Sequence, residues 1–222
     1  MPTTTVHLVR HGEVDNPRGV LYGRLPGYHL SERGHAMAQR LGEHFSDGSH
    51  DVVLLKASPL TRAQETAAPI AEGLGLELGT DERLLEAANH FEGKTFGVGD
   101  GSLRKPRHWP YLLNPFRPSW GEPYREQVAR MHAAVEDARR QALGHEAVLV
   151  SHQLPIWEAR LGFEGRRLWH DPRKRQCNLA SVTSFTFDKD GALLDIAVAE
   201  PAADLLPGAR AVPGLTADGG LG

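Results

Sequence analysis

Two arginines, two histidines and a serine stand where they could bind and react with an anion. Arg10 and His11 directly follow one short apolar run, and Ser58 and His152 lie at the ends of two others. Arg62 comes one turn after Ser58, so its guanidinium could reach back over a helix start. One guanidinium group can donate two parallel hydrogen bonds to two phosphate oxygens. Free backbone N–H groups at the start of a helix also attract an anion. These residues predict a phosphate-binding pocket.

The histidines indicate which chemistry such a pocket could perform. A neutral imidazole nitrogen can attack phosphorus and form a covalent intermediate. Arginines would offset the charge on the equatorial oxygens, and a nearby acid would protonate the leaving oxygen. Glu86 and Glu92, in a later irregular segment, are the candidate acids. The combination favours phosphoryl transfer through a histidine, although a single Arg-His pair after a strand is more often only structural.

Strands that could position these residues lie directly before them. A β-rich run at residues 5–9 and continuous apolar runs at residues 52–55 and 147–150 predict buried strands. Residues 180–187 and 192–199 predict two further strands joined by a tight turn. Continuous apolar strands that alternate with helices are typical of a parallel sheet covered on both faces. Ligands of such sheets bind beyond the carboxyl ends of the strands, which is where the polar residues lie.

Capping residues and apolar stripes predict four helices between these strands. Ser31 is a suitable N-cap residue for the first helix, in which apolar residues recur every four positions. For the second helix, Ser58 is expected as the N-cap with Pro59 in the first turn, where its missing N–H costs nothing. The predicted helices cover about residues 31–45, 58–72, 123–143 and 155–161.

Glycine and proline are concentrated in two segments, residues 14–30 and 87–121. A structureless segment as long as the second is unusual within a compact domain and is usually functional. We therefore expect residues 87–121 to form an irregular cap over the pocket. Residues 1–200 are predicted to form a single catalytic domain, followed by a partly mobile C-terminal tail at residues 201–222.

The composition of the 222-residue chain excludes several other classes of protein. Lysine and arginine total 25 against 28 acidic residues, and the net charge of −3 predicts no nucleic-acid or membrane-surface partner. A single cysteine excludes a disulfide scaffold and a metal site built from several thiolates. No segment resembles a signal peptide or a transmembrane run, so we expect a cytoplasmic protein.

Six short segments along the chain form a recognisable series. They are LVRHGE at 8–13, LSERG at 30–34, SPLTRAQETA at 58–67, LLE at 84–86, GE at 121–122 and VSH at 150–152. In order and spacing they resemble the signature of the histidine phosphatase superfamily, also called the phosphoglycerate mutase-like family, with its RHG motif. The resemblance covers about residues 5–187. It implies an α/β fold, namely a three-layer α/β/α sandwich with a mostly parallel central sheet.

The resemblance also implies roles for the residues of the predicted pocket. It implies that His11 is the phosphorylated nucleophile and that Glu86 is the proton donor. Arg10, Arg62 and His152 would complete the phosphate pocket. It further implies that the reaction uses no metal and no cofactor, and that the substrate is a small phosphorylated molecule. The oligomeric state stays open, with a homodimer as one option.

Further substrate contacts are implied at positions where the sequence partly departs from the family pattern. Asn16, Tyr22 and Gly23 lie where the family contacts phosphate or substrate, although the spacing before Asn16 is one residue short. Gln153 stands where the family usually has glycine, so its side chain would narrow the pocket or contact the substrate. The segment after the predicted acid lacks the usual acid-rich turn, which keeps Glu92 as a rival proton donor.

Three functions are compatible with these residues. We expect a phosphohydrolase that acts on a phosphomonoester through a phosphohistidine intermediate. The first alternative is a cofactor-dependent phosphoglycerate mutase, but those enzymes carry a longer and more basic insertion between the acid and the long helix. The second alternative is a pseudoenzyme that binds phosphorylated ligands without turnover. The presence of every core pocket residue argues against that second alternative.

Most of the other histidines have ordinary interpretations. His35 and His44 are expected to lie at the surface or boundary of the first helix. His90, His108 and His170 lie in predicted loops that could border the site. None of the twelve histidines requires a metal.

Two basic clusters, one tryptophan and the single cysteine also have interpretations other than catalysis. The clusters at residues 166–167 and 173–175 are expected to be solvated or to bind an acidic substrate tail. Trp157 is expected to pack rather than to stack on a ligand. Cys177 is expected to be a small core residue rather than a reactive thiol.

Overall fold

The computed structural model describes residues 3–89, 92–93, 121–170 and 175–209. The strands in that part of the chain are β1 (Thr4–Arg10), β2 (Val52–Ala57), β3 (Leu78–Thr80), β4 (Glu146–Ser151), β5 (Val182–Phe187) and β6 (Leu193–Ala199). The α-helices are α1 (Glu32–Phe45), α2 (Thr61–Leu74), α3 (Tyr124–Gln141) and α4 (Gln153–Phe163). Short 3-10 turns cover Glu82–Leu84 and Ala203–Leu205.

The strands form one six-stranded sheet in the order β3-β2-β4-β1-β5-β6. The first four strands in that order are parallel, whereas β5 is antiparallel to β1 and β6 is antiparallel to β5. The predicted mostly parallel sheet and its C-terminal hairpin are therefore confirmed. The sequence analysis missed β3, a three-residue edge strand with Gly79 at its centre, because it is too short to show a periodic pattern.

The side chains of β1 alternate between two hydrophobic cores, one on each face of the sheet. Val9 packs into the core that α1 and α2 cover, whereas Val6 and Leu8 pack into the core that α3 and α4 cover. Successive side chains of a strand point to opposite faces, so a continuous apolar run suits a strand that is buried on both sides. Helices on both faces confirm the predicted α/β class with three layers.

The first helix begins and buries its apolar stripe as its sequence predicts. The Ser31 hydroxyl accepts a hydrogen bond from the Gly34 backbone N–H at 3.0 Å, which satisfies one of the free donors at the start of α1. Met37, Leu41 and Phe45 recur every four residues on one face and are fully buried. That packing fixes the helix against the sheet beneath the loop that follows β1.

The start of α2 differs from the prediction. Leu60 occupies the N-cap position without a side-chain capping bond, and the helix begins at the next residue. The expectation that Ser58 caps this helix with Pro59 in its first turn is therefore wrong. The Ser58 hydroxyl instead lies 2.8 Å from Nε2 of His152. A buried imidazole nitrogen needs a hydrogen-bond partner, and this hydroxyl supplies one.

The other predicted helices are confirmed with shifted ends. Helix α2 continues to Leu74 and ends at Gly75, whose left-handed φ of 65° suits a residue without a side chain. Helix α3 is slightly shorter than predicted, and α4 is longer at both ends because it starts immediately after His152. None of the helices in the described ranges is both long and apolar enough to cross a membrane.

Residues 14–30 form the predicted loop, and an isolated antiparallel bridge between Val14 and Leu30 closes it. Ala202 and Ala209 of the tail are buried in the core beside α1 and α2. The start of the predicted tail therefore packs against the domain.

Most of the predicted cap lies outside the described residues. Within residues 87–121 the structure describes only 87–89, 92–93 and 121. Residues 210–222, which include the segment predicted to be mobile, also lie outside the described part of the chain.

Candidate active site

The two predicted active-site histidines meet because the strands that precede them are neighbours. Strands β1 and β4 are parallel, with Arg10 in register with Ser151. The His11 backbone N–H donates to the Ser151 carbonyl at 3.2 Å, so the two chains leave the sheet side by side. The imidazole rings of His11 and His152 consequently lie with their centroids 5.1 Å apart. Both side chains are buried.

One hydrogen bond decides which nitrogen of His11 can react. Nδ1 lies 2.7 Å from the Gly12 carbonyl oxygen, which can only accept, so Nδ1 carries the proton. The Nε2 atom therefore keeps its lone pair in the neutral ring. Burial, together with the charges of Arg62 and Arg10, lowers the pKa of His11 well below its ordinary value of 6.5. A neutral imidazole with a free Nε2 lone pair is the form that a nucleophile needs.

His152 is held by a contact that the sequence analysis missed. Its Nε2 atom lies 2.8 Å from the hydroxyl of Ser58, a residue at the end of β2. Its Nδ1 atom is buried without a hydrogen-bond partner among the residues that the structure describes. Burial first, and then the charge of Arg62, lowers the pKa of His152 well below its ordinary value. Both histidines of the site are therefore neutral near pH 7.

Arg62 brings a buried positive charge to the site. Its Nη2 atom donates to the Gly23 carbonyl at 2.6 Å, and its guanidinium carbon lies 4.7 Å from the centre of the Tyr22 ring. Burial lowers the pKa of Arg62, and the carboxyl of Glu86 nearby counteracts part of that effect. Within the described ranges Arg62 forms no ion pair. A buried cation is costly unless an anion joins it, so this position favours a bound anion.

Arg10 and Gln153 converge on one backbone carbonyl. The Cys177 oxygen accepts a hydrogen bond from Nη1 of Arg10 at 2.7 Å and another from Nε2 of Gln153 at 3.3 Å. This contact places the Gln153 side chain beside the Arg10 guanidinium. Cys177 is buried, which confirms it as a core residue, and burial raises the pKa of its thiol. No sequence pattern marks a backbone carbonyl in advance.

The loop after β1 brings only part of the predicted contact set to the pocket. Tyr22 and Gly23 lie against Arg62, as the previous contacts show. The Asn16 amide is used within the loop, where it donates to the Val20 carbonyl at 2.8 Å and accepts from the Val20 N–H at 3.0 Å. Asn16 therefore closes the loop that carries the other two residues.

Glu86 has the environment of a carboxyl that can be protonated. One of its oxygens accepts a hydrogen bond from the Ala87 backbone N–H at 2.8 Å. Burial raises the pKa of Glu86, although that hydrogen bond and the charge of Arg62 oppose the rise. A carboxyl with a raised pKa can donate a proton to a leaving oxygen and later accept one from water.

Ion pairs fix the backbone that carries this acid. Arg24 donates through Nε to the Glu86 carbonyl at 2.6 Å and through Nη2 to the Glu122 carboxylate at 2.9 Å. Arg130, on α3, donates twice to the same carboxylate, at 2.7 and 3.0 Å. The carboxylate of Glu122 therefore ties the loop after β1 and helix α3 to the position of the predicted acid.

The carboxylate of the rival acid, Glu92, has hydrogen-bond partners different from those of Glu86. One oxygen of its carboxylate accepts hydrogen bonds from the backbone N–H groups of Arg24 and Asn89, at 3.1 and 3.2 Å. This carboxylate therefore holds two loops together. His90 and His108, which were expected to border the site, lie outside the described residues.

A buried polar chain beside the site was not predicted. Arg175 donates through Nε to Nε2 of His170 at 2.8 Å. Nδ1 of His170 donates to the Leu168 carbonyl at 2.7 Å and lies 3.2 Å from the Glu158 carboxylate. Burial lowers the pKa of Arg175, and the charge of Glu86 counteracts this effect, so Arg175 lies near the predicted acid. Of the two options expected for the cluster at 173–175, solvation is wrong for Arg175 because His170 holds it inward, and binding of an acidic substrate tail stays a prediction; residues 173 and 174 lie outside the described ranges. One feature of the sequence could have indicated this polar chain, namely Glu158, which places a carboxylate on the otherwise apolar helix α4.

Comparisons with known proteins agree with this geometry. The protein Rv0525 of Mycobacterium tuberculosis is 57% identical over 200 residues, which cover 90% of this chain and 98% of that protein. Phosphoserine phosphatase 1 of Hydrogenobacter thermophilus is 31% identical over 169 residues, which cover 73% of this chain and 78% of that enzyme. The structure of Bacillus stearothermophilus YhfR superposes with a TM-score of 0.68 at 27% identity, over 86% of this chain and 94% of that one.

The family comparison extends over almost the whole domain. The sequence pattern of the histidine phosphatase superfamily (branch 1) matches residues 6–198, a range that includes every strand from β2 to β5 and all four described helices. The residues that meet at the ends of β1 and β4 lie within that match. This chain therefore belongs to the histidine phosphatase superfamily.

Proposed function

We propose that this protein is a phosphohydrolase that cleaves a small phosphomonoester through a phosphohistidine on His11. The observation that carries the proposal is the state of His11. Its buried ring is neutral, its Nδ1 proton is committed to the Gly12 carbonyl, and its Nε2 lone pair remains. Membership of the superfamily and the likeness to a phosphoserine phosphatase support hydrolysis of a phosphate ester.

In the first step, Nε2 of His11 attacks phosphorus and the bond between phosphorus and the ester oxygen breaks. The leaving oxygen takes the bonding electron pair and accepts the proton of the Glu86 carboxyl. In the second step, water attacks the phosphohistidine while the Glu86 carboxylate accepts a proton from that water. The bond between phosphorus and nitrogen breaks, and the products are inorganic phosphate and the neutral imidazole.

The remaining pocket residues would hold the phosphoryl group during both steps. Arg10 and Arg62 carry the positive charge that offsets the equatorial oxygens, and both guanidinium groups are already fixed by backbone carbonyls. Preorganised charges of this kind need no rearrangement as the reaction proceeds. His152 would add a hydrogen bond, with its ring oriented by Ser58. Gln153 would contact the substrate from the side of Arg10.

Replacing the nucleophile tests the proposal directly. In His11→Ala we expect phosphomonoester turnover to fall by at least about 1,000-fold, because both chemical steps pass through this side chain. His35→Ala, on the exposed face of α1, is the matched control and should keep full activity. Rapid quenching with labelled substrate should trap an acid-labile, base-stable phosphoenzyme in the parent and in the control. Full turnover by His11→Ala would overturn the mechanism.

The alternative activities are separated by a second assay. Incubation with 3-phosphoglycerate and a trace of 2,3-bisphosphoglycerate should release phosphate from a phosphatase. Isomerisation without net release would identify a mutase instead. Phosphate binding without turnover of any phosphoester in a panel would identify a pseudoenzyme.

A further inference from the structure

Two histidines and a glutamate converge at the end of the sheet opposite to the candidate active site. Glu146 Oε2 lies 3.1 Å from Nε2 of His7 and 2.8 Å from Nδ1 of His50. The three potential ligand atoms all lie within 4.8 Å of one another. With bonds of about 2.0–2.1 Å, a tetrahedral zinc site places neighbouring ligand atoms roughly 3.3 Å apart. The group therefore needs only small side-chain rotations to surround one ion.

Three separate segments supply these side chains, and backbone hydrogen bonds fix their relative positions. His7 is on β1 and Glu146 starts β4, the neighbouring strand, where it is in register with Thr5. His50 lies in the loop before β2, and the Glu146 N–H donates to the carbonyl of the adjacent Asp51 at 2.9 Å. The donors are therefore preorganised rather than brought together by a flexible segment.

The surroundings orient both imidazole rings. Nδ1 of His7 lies 2.8 Å from the Ser184 hydroxyl, which leaves its Nε2 atom facing the carboxylate. The Phe45 ring packs against both rings, with centroids 5.3 Å from His7 and 5.1 Å from His50. A hydrogen bond to the second nitrogen of a ligating histidine is the usual outer support of a metal site.

Access and charge also suit an ion. The side chain of His7 is almost completely buried, whereas those of His50 and Glu146 are 17% and 23% exposed. An ion could therefore enter from solvent and retain a water molecule as its fourth ligand. The three residues offer two imidazole nitrogens and one carboxylate oxygen. Zn²⁺ prefers such a mixed ligand set, whereas Mg²⁺ and Ca²⁺ prefer ligand sets made only of oxygen atoms.

We propose that His7, His50 and Glu146 form a site for Zn²⁺ or a similar divalent transition-metal ion. In the metal-free form the carboxylate accepts an N–H from each ring. To bind the ion, each ring would present a lone pair at that nitrogen and carry its proton on the other one. The proton would move from Nε2 to Nδ1 in His7, where it can be donated to the Ser184 hydroxyl, and from Nδ1 to Nε2 in His50. No histidine pattern in the sequence required a metal, and the proposed ion takes no part in the proposed reaction.

This site is separate from the proposed chemistry. His7 lies on β1 and His11 directly follows that strand, four residues further along the chain, which at about 3.3 Å per residue separates them by roughly 13 Å. The ion would instead connect β1, β4 and the loop before β2, so its expected effect is on stability.

A chelator competition with the full chain tests the proposal. The protein is stripped of metal with EDTA and then titrated with Zn²⁺ against a chromophoric chelator. One ion per chain is expected to bind. His50→Ala and Glu146→Gln are each expected to weaken that binding by at least about 100-fold, the upper range for loss of an outer-shell partner. Mg²⁺ should not compete.

Two control variants separate this site from other histidines. His145→Ala removes an exposed histidine next to Glu146 that pairs with Asp51 instead, and it should bind Zn²⁺ like the parent. His11→Ala should also retain binding, which would exclude the candidate active site as the location. Binding that is lost in His11→Ala but kept in His50→Ala would overturn the proposal, as would equal affinity in all variants.

Thermal unfolding gives a second readout that does not depend on activity. Zn²⁺ should raise the Tm of the parent and of His145→Ala and leave the Tm of His50→Ala unchanged, since only a ligand bound to the folded chain stabilises it. A metal-free His50→Ala that unfolds near the parent Tm shows that the variant is folded. An equal rise of Tm in that folded variant would contradict the assignment.

Discussion

The rings of His11 and His152 lie with their centroids 5.1 Å apart and their planes inclined by 60°, and neither ring is hydrogen-bonded to a carboxylate within the described ranges. A carbonyl holds the first ring and a hydroxyl holds the second. Both partners orient an imidazole without stabilising its charged form as strongly as a carboxylate would. The pair is therefore suited to staying neutral until a phosphoryl group arrives.

Ser58→Ala should lower kcat by about 10-fold, because a buried nitrogen left without its partner costs about 1–3 kcal/mol and the ring of His152 loses its orientation. Steady-state kinetics on a phosphomonoester check this, and KM should change less than kcat. Ser46→Ala is the matched control, since its hydroxyl donates to the Gly42 carbonyl at the end of α1 and, in the part of the chain that the structure describes, Ser46 makes no contact with either active-site histidine. Equal kinetics in the two variants would show that Ser58 does not position His152.

The protonation of His11 should be detectable in the free protein. A protonated ring has no lone pair at Nε2, so reactivity is lost as the pH falls through the pKa in the folded state. That pKa is lowered by burial and by the two arginines, so the loss should occur below pH 6.5. A titration of the imidazole C–H signals by NMR, with His11→Ala used for assignment, measures it. A midpoint at or above 6.5 would contradict the buried, neutral state.

Glu86→Gln should affect substrates according to their leaving groups. An amide cannot donate the proton, so turnover of an alkyl phosphate should fall by roughly 100- to 10,000-fold. Turnover of 4-nitrophenyl phosphate should fall much less, because nitrophenolate leaves without protonation. Glu92→Gln is the matched control and should keep the parent ratio of the two rates. If Glu92→Gln shows the selective loss instead, Glu92 is the proton donor.

Arg175→Ala should change substrate binding rather than the chemical step. The guanidinium lies near Glu86, so it is placed to meet a negative group on the leaving side of the substrate. For phosphoserine, which carries a carboxylate, we expect KM to rise by about 10-fold, since a hydrogen bond to a charged group contributes roughly 1.5–3 kcal/mol. The KM for 4-nitrophenyl phosphate should change little.

Arg166→Ala provides the comparison for that variant. Arg166 is exposed and pairs with Glu164 at the end of α4, so its loss should leave both KM values unchanged. Arg175 would have no role in recognising the substrate if its removal raised the KM of both substrates equally.

The sequence predicted those parts of the fold that depend on neighbouring residues. The apolar runs of β1, β2 and β4 lie where it placed them, and Ser31 caps α1 as expected. The start of α2 was predicted incorrectly because Ser58 has the properties of a cap but also lies beside a distant imidazole. Local preference is a weak determinant once a buried polar group needs a partner.

The sequence analysis placed the candidate site at strand ends, and the structure brings three of its residues together there. Arg10 ends β1, and His11 and His152 directly follow β1 and β4. These parallel strands are neighbours in the sheet, and that strand order brings the three residues together. The inward position of Arg175 was missed, since it depends on His170 in a loop and on Glu158 inside a helix. Neither residue forms a periodic pattern with Arg175.

The sequence by itself determined which residues could handle a phosphate and that strand ends would carry them. Only the tertiary structure decided how each is held. Ser58 orients His152 across 94 residues, and the Cys177 carbonyl fixes Arg10 across 167. It also decided that His7, His50 and Glu146 share one end of the sheet. Such contacts depend on the order of the strands in the sheet and on the need of buried polar groups for hydrogen-bond partners. Local sequence preferences determine neither of these.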